Sequence, residues 1–341
     1  LATIKDVAKK AGVSIGVVSR AFNNYPDISE KTKQRIFEVA RELNYTPNLA
    51  ARNLSLKKQF TIGLISSGIL DSDEKDSNNS FEVFKGVYLG TQQKNYELAI
   101  YLIDSQKQRR KSYKQFCRER NIGGAILQGI TTNDKYFKEL VEANIPCVLI
   151  DMTTDKDYQP LGFVSTDNIR ASREMAELLI KNGHRKIACM AGKKDTLVNK
   201  WRMEGLKQAL AENGLELSDE DLLYGDFLEG TAYETAKEYL EKGNRPTAFF
   251  CFSDLMAFGV MKAIAEAGLS IPEDISITGF DGLPIGAYTQ PPLTTIKQNF
   301  FEMGRQAALL LTDIMEGKEC DRHVYVDYQL LERKSVKNLI H

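Results

Sequence analysis

An α/β body carrying a small all-helical head is the architecture this sequence predicts, and three observations carry it. Apolar residues in the first sixty positions recur at helical spacing around a glycine turn. Charge is split unevenly between that stretch and the remainder. From Phe60 onward, short apolar runs alternate with amphipathic segments. The expected body has two lobes, each a doubly wound parallel sheet with helices on both faces.

In the head, Thr3 is a candidate N-cap with Asp6 three residues on to close a capping box, and Ile4, Val7, Ala8 and Ala11 share one face. Gly12 can take the left-handed geometry of a tight turn, Ser14 can cap a second helix, and Val17, Val18, Ala21 and Phe22 return to the same apolar side. Two short helices about such a turn make a helix-turn-helix. A third helix after Ser29, with Ile36, Val39, Ala40 and Leu43 on one side, closes a small core. Residues 1–60 hold 11 Lys and Arg against 5 Asp and Glu, a net +6, which leaves −7 on the rest. A basic head on an acidic body fits a polyanionic partner for the head alone. Thr46-Pro47, a capping residue before proline at the first helical position, then signals a short helix to about Leu56. Its small-sided run Leu49-Ala-Ala-Arg-Asn-Leu54 can lie close to a twin helix or to DNA, and equally suits a linker that frays in water.

Strand-like runs follow at Thr61–Ile65, Glu97–Ile103, Ala125–Gln128, Cys147–Ile150, Gly162–Ser165, Lys186–Met190, Ala248–Phe252, Ser276–Gly279 and His323–Tyr328. Helical segments between them are Phe81–Lys94, Asn168–Lys181, Trp201–Glu212, Thr231–Glu241, Asp254–Ala267 and Phe300–Met315. So many strands exceed one comfortable sheet, so the chain should pass between lobes near Tyr158–Gly162 and recross near Leu293 and near Cys320. The expected division is a head at 1–46, a linker at 47–59, a first lobe of 60–161 with 293–320, and a second of 162–292 with 321–341. Three connections make a hinged clamshell whose cleft lies at the carboxyl ends of the strands, where such folds bind ligands.

At 341 residues, 43% apolar and 27% charged, the composition is that of an ordinary soluble protein, expected in the cytoplasm. No apolar run reaches the length of a bilayer span, and Lys5, Asp6, Lys9 and Lys10 interrupt any signal-peptide core. Five widely spaced cysteines suit buried thiols, and neither they nor the three histidines have metal-ligand spacing. Gly12-Val-Ser-Ile-Gly16 matches a hydrolase nucleophile elbow only formally, because a helix and not a strand precedes it. No phosphate-binding glycine loop is present, so neither metal, cofactor nor enzymatic chemistry is expected.

The stretch Thr3 to Asn23, then Tyr45-Thr-Pro-Asn-Leu-Ala-Ala-Arg-Asn-Leu54, Gly279-Phe-Asp281 and Pro291-Pro-Leu-Thr-Thr-Ile-Lys-Gln298, resembles the LacI/GalR family of bacterial transcription regulators, in the family's order and over essentially the whole chain. The resemblance implies a body like the type I periplasmic binding proteins. It implies a homodimer on a pseudo-palindromic operator in double-stranded DNA, a repressor's role, and a sugar or sugar phosphate as effector. Residues 47–56 would be the family's hinge helix, with Ala51 facing DNA and Leu54 wedged into the central base step. Ile15, Gly16 and Arg20 match base-reading positions. Thr3, Ser14, Val17, Ser19 and Asn23 would hold the DNA backbone. A bidentate guanidinium on guanine makes Arg20 the strongest reader, with a phosphate contact as its alternative. Ile15 offers only a methyl-seeking surface and Gly16 no side chain, so spacing and bending should carry much of the specificity.

In the body, Asp151, Ser253, Asp254 and Asp281 each follow an apolar strand, and Trp201-Arg202 opens a helix. Carboxylates there can accept sugar hydroxyls and a guanidinium can bridge ring oxygens. By resemblance Asp151, Arg202, Ser253 and Asp281 match effector-contacting positions, and Asp254 caps the following helix. Ser253 stands where many sugar-binding relatives carry asparagine. Each aspartate equally suits a turn cap, and Arg202 a surface ion pair. Phe81, Phe227 and Trp201 are candidate platforms for a sugar face, or simply core. The polar loop Asp71–Ser80 departs from the family's short Asn-Pro-aromatic signature. The alternatives are a sugar-binding receptor without DNA duty, which the basic head opposes, and a regulator answering a protein co-effector on its outer face.

Overall fold

Small side chains and three serine or threonine caps build the head. The computed structural model describes residues 2–23, 25–46, 61–67, 77–103, 111–130, 134–154, 160–243 and 245–340, and the chain divides into Leu1–Phe60 and Thr61–His341. In the first unit, α1 (Ile4–Ala11), α2 (Ile15–Phe22) and α3 (Glu30–Glu42) follow Thr3, Ser14 and Ser29. Asp6 Oδ2 accepts from both the N–H and the hydroxyl of Thr3 at 2.8 Å, which holds its carboxyl below the usual range. Ser14 Oγ accepts from Val17 N–H and Ser29 Oγ from Thr32 N–H. Gly12 ends α1 at φ 66°. Val7, Ala8, Ala11, Val18, Ala21, Ile28, Ile36, Val39 and Ala40 form the core. Ile4, Val17, Phe22 and Leu43 are only partly buried against it, with Phe22 packed on Phe37 and Tyr45 at 5.2 and 5.8 Å. The expected helix from Pro47, with Ala51 and Leu54, lies outside the described residues.

The second unit runs β1 (Thr61–Ser67), α4 (Ser77–Gln93), β2 (Glu97–Ile103), α5 (Tyr113–Glu119), β3 (Ile122–Gln128), α6 (Lys135–Glu142), β4 (Cys147–Ile150), β5 (Leu161–Thr166) and α7 (Asn168–Lys181). It continues through β6 (Ile187–Ala191), α8 (Leu197–Glu212), β7 (Leu222–Tyr224), α9 (Glu229–Glu241), β8 (Ala248–Cys251), α10 (Asp254–Glu266) and β9 (Ser276–Asp281). The last elements are β10 (Thr294–Lys297), α11 (Phe300–Met315), β11 (His323–Val326) and β12 (Gln329–Leu331). Two six-stranded sheets result, in the orders β11-β5-β4-β3-β1-β2 and β12-β10-β9-β8-β6-β7. Among the described residues every pairing is parallel except β10 with β12. The inner strands β4, β6 and β8 are buried at every residue, as parallel strands covered on both faces must be.

The sheets correct the expected lobe boundaries at all three connections. β5 stays in the first sheet, so the first crossing follows Thr166 and not the stretch around Tyr158–Gly162. β10 belongs to the second sheet, paired with β9, and α11 returns to cover β3, β4 and β5, so the second crossing is at Gln298–Asn299 and not near Leu293. β11 joins the first sheet beside β5 and β12 the second, which splits the expected strand His323–Tyr328 at Asp327–Tyr328 and moves the third crossing from near Cys320. In each case the chain completes a strand before leaving, so no buried ladder is abandoned partway.

Helix pairs over the sheets approach through glycine. A Cβ on Gly86 of α4 would lie 1.9 Å from the carbonyl O of Phe301 in α11, and one on Gly304 2.1 Å from that of Val83. Gly205 of α8 meets Ile169 O in the same way, and Gly259 of α10 meets Glu229 O.

Candidate functional site

On the head, the residues expected to meet DNA lie largely at the surface. Thr3, Ser14, Ile15, Gly16 and Arg20 are exposed, while Val17, Ser19 and Asn23 are half-buried. Ser14 is committed to its cap. Ile15 is 44% exposed, which leaves its apolar surface open at the start of α2. Arg20 Nη1 donates to Asp27 Oδ2 at 2.5 Å, and this carboxylate partner has no signal in the sequence beyond its charge.

In the body, backbone strain marks the site. Eight non-glycine residues among those described have left-handed φ. Asn44, Asn95, Asn121 and Asn144 all sit just past helix ends, a position asparagine tolerates. The other four, Asp151, Asp226, Phe227 and Asp281, sit at the carboxyl ends of strands or in the loop after β7. Strain held at such places is characteristic of binding sites.

A continuous run of polar contacts joins the ends of the two sheets. Ser165 Oγ donates to Asp151 Oδ1 at 2.7 Å, and Asn168 Nδ2 donates to Ser165 Oγ at 3.1 Å. Asn168 Oδ1 accepts from Arg202 Nε at 2.9 Å. Arg202 Nη1 donates to Phe252 O and stands 3.8 Å from Asp281 Oδ1, and its guanidinium lies 3.7 Å from the Phe280 ring centroid. Asp281 Oδ1 also accepts from Gln298 Nε2 at 2.8 Å. Burial pushes the Asp151 carboxyl up, opposed by the Ser165 hydroxyl and by Arg202. Arg202 is 3% exposed, so the surface ion pair is corrected to a buried guanidinium between the two lobes' carboxylates.

Asp151, Arg202 and Asp281 are thus brought together, and Ser165, Asn168 and Gln298 join them unforeseen. Gln298 Oε1 is buried without a partner among the described residues. Uncharged polar residues at a strand end, a helix start and a crossing look like ordinary caps in sequence. Ser253 lies one residue beyond the Phe252 carbonyl, and its Oγ accepts from Met256 N–H, so Ser253 is the N-cap of α10. Asp254 is corrected accordingly. It is buried, with Oδ1 accepting from Thr295 Oγ1 and Oδ2 from Leu283 N–H, both at 2.6 Å, and burial raises its pKa to about 6. The Phe227 ring lies directly over Gly192, at the end of β6. Trp201 is half-buried in α8, whereas Phe81 is 58% exposed on α4 with Lys85 Nζ 5.8 Å from its ring centroid. An open groove of about 690 Å³ runs along another face of α8, lined by Lys194, Lys200, Lys207 and Tyr224, and does not include Arg202. Two carboxylates, a guanidinium and two amides at the sheet ends can accept from and donate to a polyhydroxylated ligand. No described helix is long and apolar enough to cross a membrane.

Known proteins resemble the chain over both of its units. Residues 3–48 match the model of bacterial regulatory proteins of the lacI family, and residues 176–336 that of a periplasmic binding protein-like domain. The HTH-type transcriptional repressor PurR of Aliivibrio fischeri (strain MJ11) is 34% identical over 346 residues, covering 99% of both chains. The Lac repressor dimer bound to operator and the anti-inducer ONPF superposes with a TM-score of 0.84 at 26% identity, over 98% of this chain and 99% of that one. A complex of the regulator CelR with cellobiose gives 0.74 at 26% identity, over 98% and 100%.

Proposed function

The chain belongs to the LacI family of bacterial transcriptional regulators, and from that premise we propose that it is a cytoplasmic homodimeric repressor whose operator affinity is set by a sugar-like effector held between the two sheets. That it is a DNA-binding regulator of transcription and not an enzyme follows from the family. The observation that carries the effector assignment is the run of contacts from Asp151 to Gln298, which ties the ends of both sheets together and is rich in groups that pair with hydroxyls. The CelR complex, a related regulator holding cellobiose, supports the same class.

In this reading Asp151, Arg202 and Asp281 contact the effector, Gln298 and Asn168 are added to them, and Phe227 walls the cleft beside Gly192. A ligand that takes over these bonds changes the angle between the lobes. Through residues 47–59, that angle changes how two heads meet paired half-sites. Arg20 reads a base, with Ile15 and Gly16 beside it. The dimer face is assigned to α4 and the edge strand β2, where Phe81, Tyr88, Leu89 and Ile100 are all about half exposed or more, an apolar set that a second copy would cover.

The test is ligand-dependent thermal shift of the full chain across a panel of sugars, sugar phosphates and purines, since a bound ligand stabilises by RT ln(1 + [L]/Kd). A sugar or sugar phosphate should raise the melting temperature, and Asp281→Ala should abolish the rise. A shift by purines alone would replace the ligand class, and no shift by any compound would move the control to a protein partner.

A further inference from the structure

Arg20 is the one long hydrogen-bond donor among the three base-facing positions of α2, and it is not presented alone. Its Nη1 bonds Asp27 Oδ2 at 2.5 Å, with the two side chains 47% and 50% exposed. Asp27 comes from the loop before α3, on a backbone fixed from both sides. Tyr25 N–H donates to Arg20 O at 3.1 Å, Ile28 is buried in the core, and Ser29 caps α3. A carboxylate on a cationic, DNA-facing surface opposes phosphate binding, so general affinity for DNA does not account for its placement. A guanidinium, however, is a planar fork of five donors. Holding one nitrogen from the side leaves another edge to meet O6 and N7 of guanine. An unheld arginine must give up its rotamer freedom on binding and can settle instead on a phosphate, which carries no sequence information.

We propose that Asp27 is a positioning residue for sequence reading: it clasps Arg20 so that the guanidinium is offered edge-on to guanine at one base pair of each half-site. The inference rests on the base-reading role given to Arg20 above.

Full-length wild type, Arg20→Ala, Asp27→Ala and Asp27→Asn would each select duplexes from one randomised library, followed by sequencing of the bound fraction and titration against a scrambled duplex. Wild type should enrich guanine at one symmetric pair of positions, and Arg20→Ala should lose that preference by about tenfold or more. Asp27→Ala should weaken the preference several-fold at that position only, with equal or tighter binding to scrambled DNA, and Asp27→Asn, which keeps an acceptor without the charge, should fall between. Undiminished guanine preference in Asp27→Ala, or relaxation at every position alike, overturns the clasp while leaving Arg20 as the reader. Undiminished preference in Arg20→Ala overturns both.

Discussion

Replacing Arg202 with methionine tests whether the buried guanidinium holds the two carboxylates in a folded cleft. Methionine can fill much of the volume over the Phe280 ring, so packing is largely kept while the bonds to Asn168 and Phe252 and the charge beside Asp281 are lost. Removing one partner of a buried ion pair costs about 3–5 kcal/mol, because the charge left behind is uncompensated. The lower figure applies here, since Gln298 still bonds Asp281 and Ser165 still bonds Asp151. A loss of about 3 kcal/mol lowers the melting temperature of a unit this size by about 6 °C or more. The chain's single tryptophan, Trp201, adjoins the substitution in α8, so its fluorescence reports unfolding of the body and not of the head. The loss should also depend on pH. Arg202 lowers the Asp151 pKa, so without it that carboxyl sits higher still, and its protonation as pH falls relieves part of the damage. A variant that melts within 1 °C of wild type at neutral pH, or whose loss of stability stays constant as pH is lowered across the range in which wild type remains folded, would refute this account of the cleft.

Asp254 gives a second pH signature. Its folded pKa of about 6 exceeds the unfolded value, so its contribution is full below about pH 4 and is lost as pH rises through 6, worth about 3 kcal/mol in all. Buried His184, whose pKa is lowered, acts in the opposite sense, so the informative quantity is the difference between wild type and Asp254→Asn. In urea titrations that difference should shift in favour of the variant between pH 5 and pH 7.5, and parallel profiles would remove the assignment. A paired glycine test separates close packing from helix propensity. Gly86→Ala should destabilise by about 2 kcal/mol or more, because its Cβ meets the Phe301 carbonyl. Gly230→Ala, in α9 with nothing within 4 Å, should stabilise by about 0.5–1 kcal/mol. Calorimetry finding the two alike would remove the helix-contact argument.

The legible parts of the fold are those where one physical signal dominates. Asn168–Lys181 and Phe300–Met315 are helices at the limits their amphipathic patterns predict, because a wide apolar stripe and a cap leave no competing arrangement. Short elements escaped. Leu222–Tyr224 and Gln329–Leu331 are three-residue strands, too few for any period to register, and Tyr113–Glu119 and Lys135–Glu142 span barely two turns, without the glycine turn and third helix that framed the equally short helices of the head. Thr294–Lys297 hid behind Pro291-Pro292, which read as a break between lobes when it only precedes a strand. At the site, charge at strand ends marked Asp151 and Asp281, but Asn168 and Gln298 gained their roles from crossings whose positions depend on which sheet each strand joins. The cap fell to Ser253 and not to Asp254 because either side chain can cap a helix, and only the proximity of Thr295 and Leu283, which hold Asp254, decides between them.

Two of the three connections between the sheets begin at members of the polar run, Asn168 beside the first and Gln298 in the second, while the third passes at Asp327–Tyr328. The register sets all three side by side, with Val326 opposite Thr166 and Gln329 opposite Lys297, so in the proposed site a molecule that reorganises those bonds would act where every strap between the lobes passes.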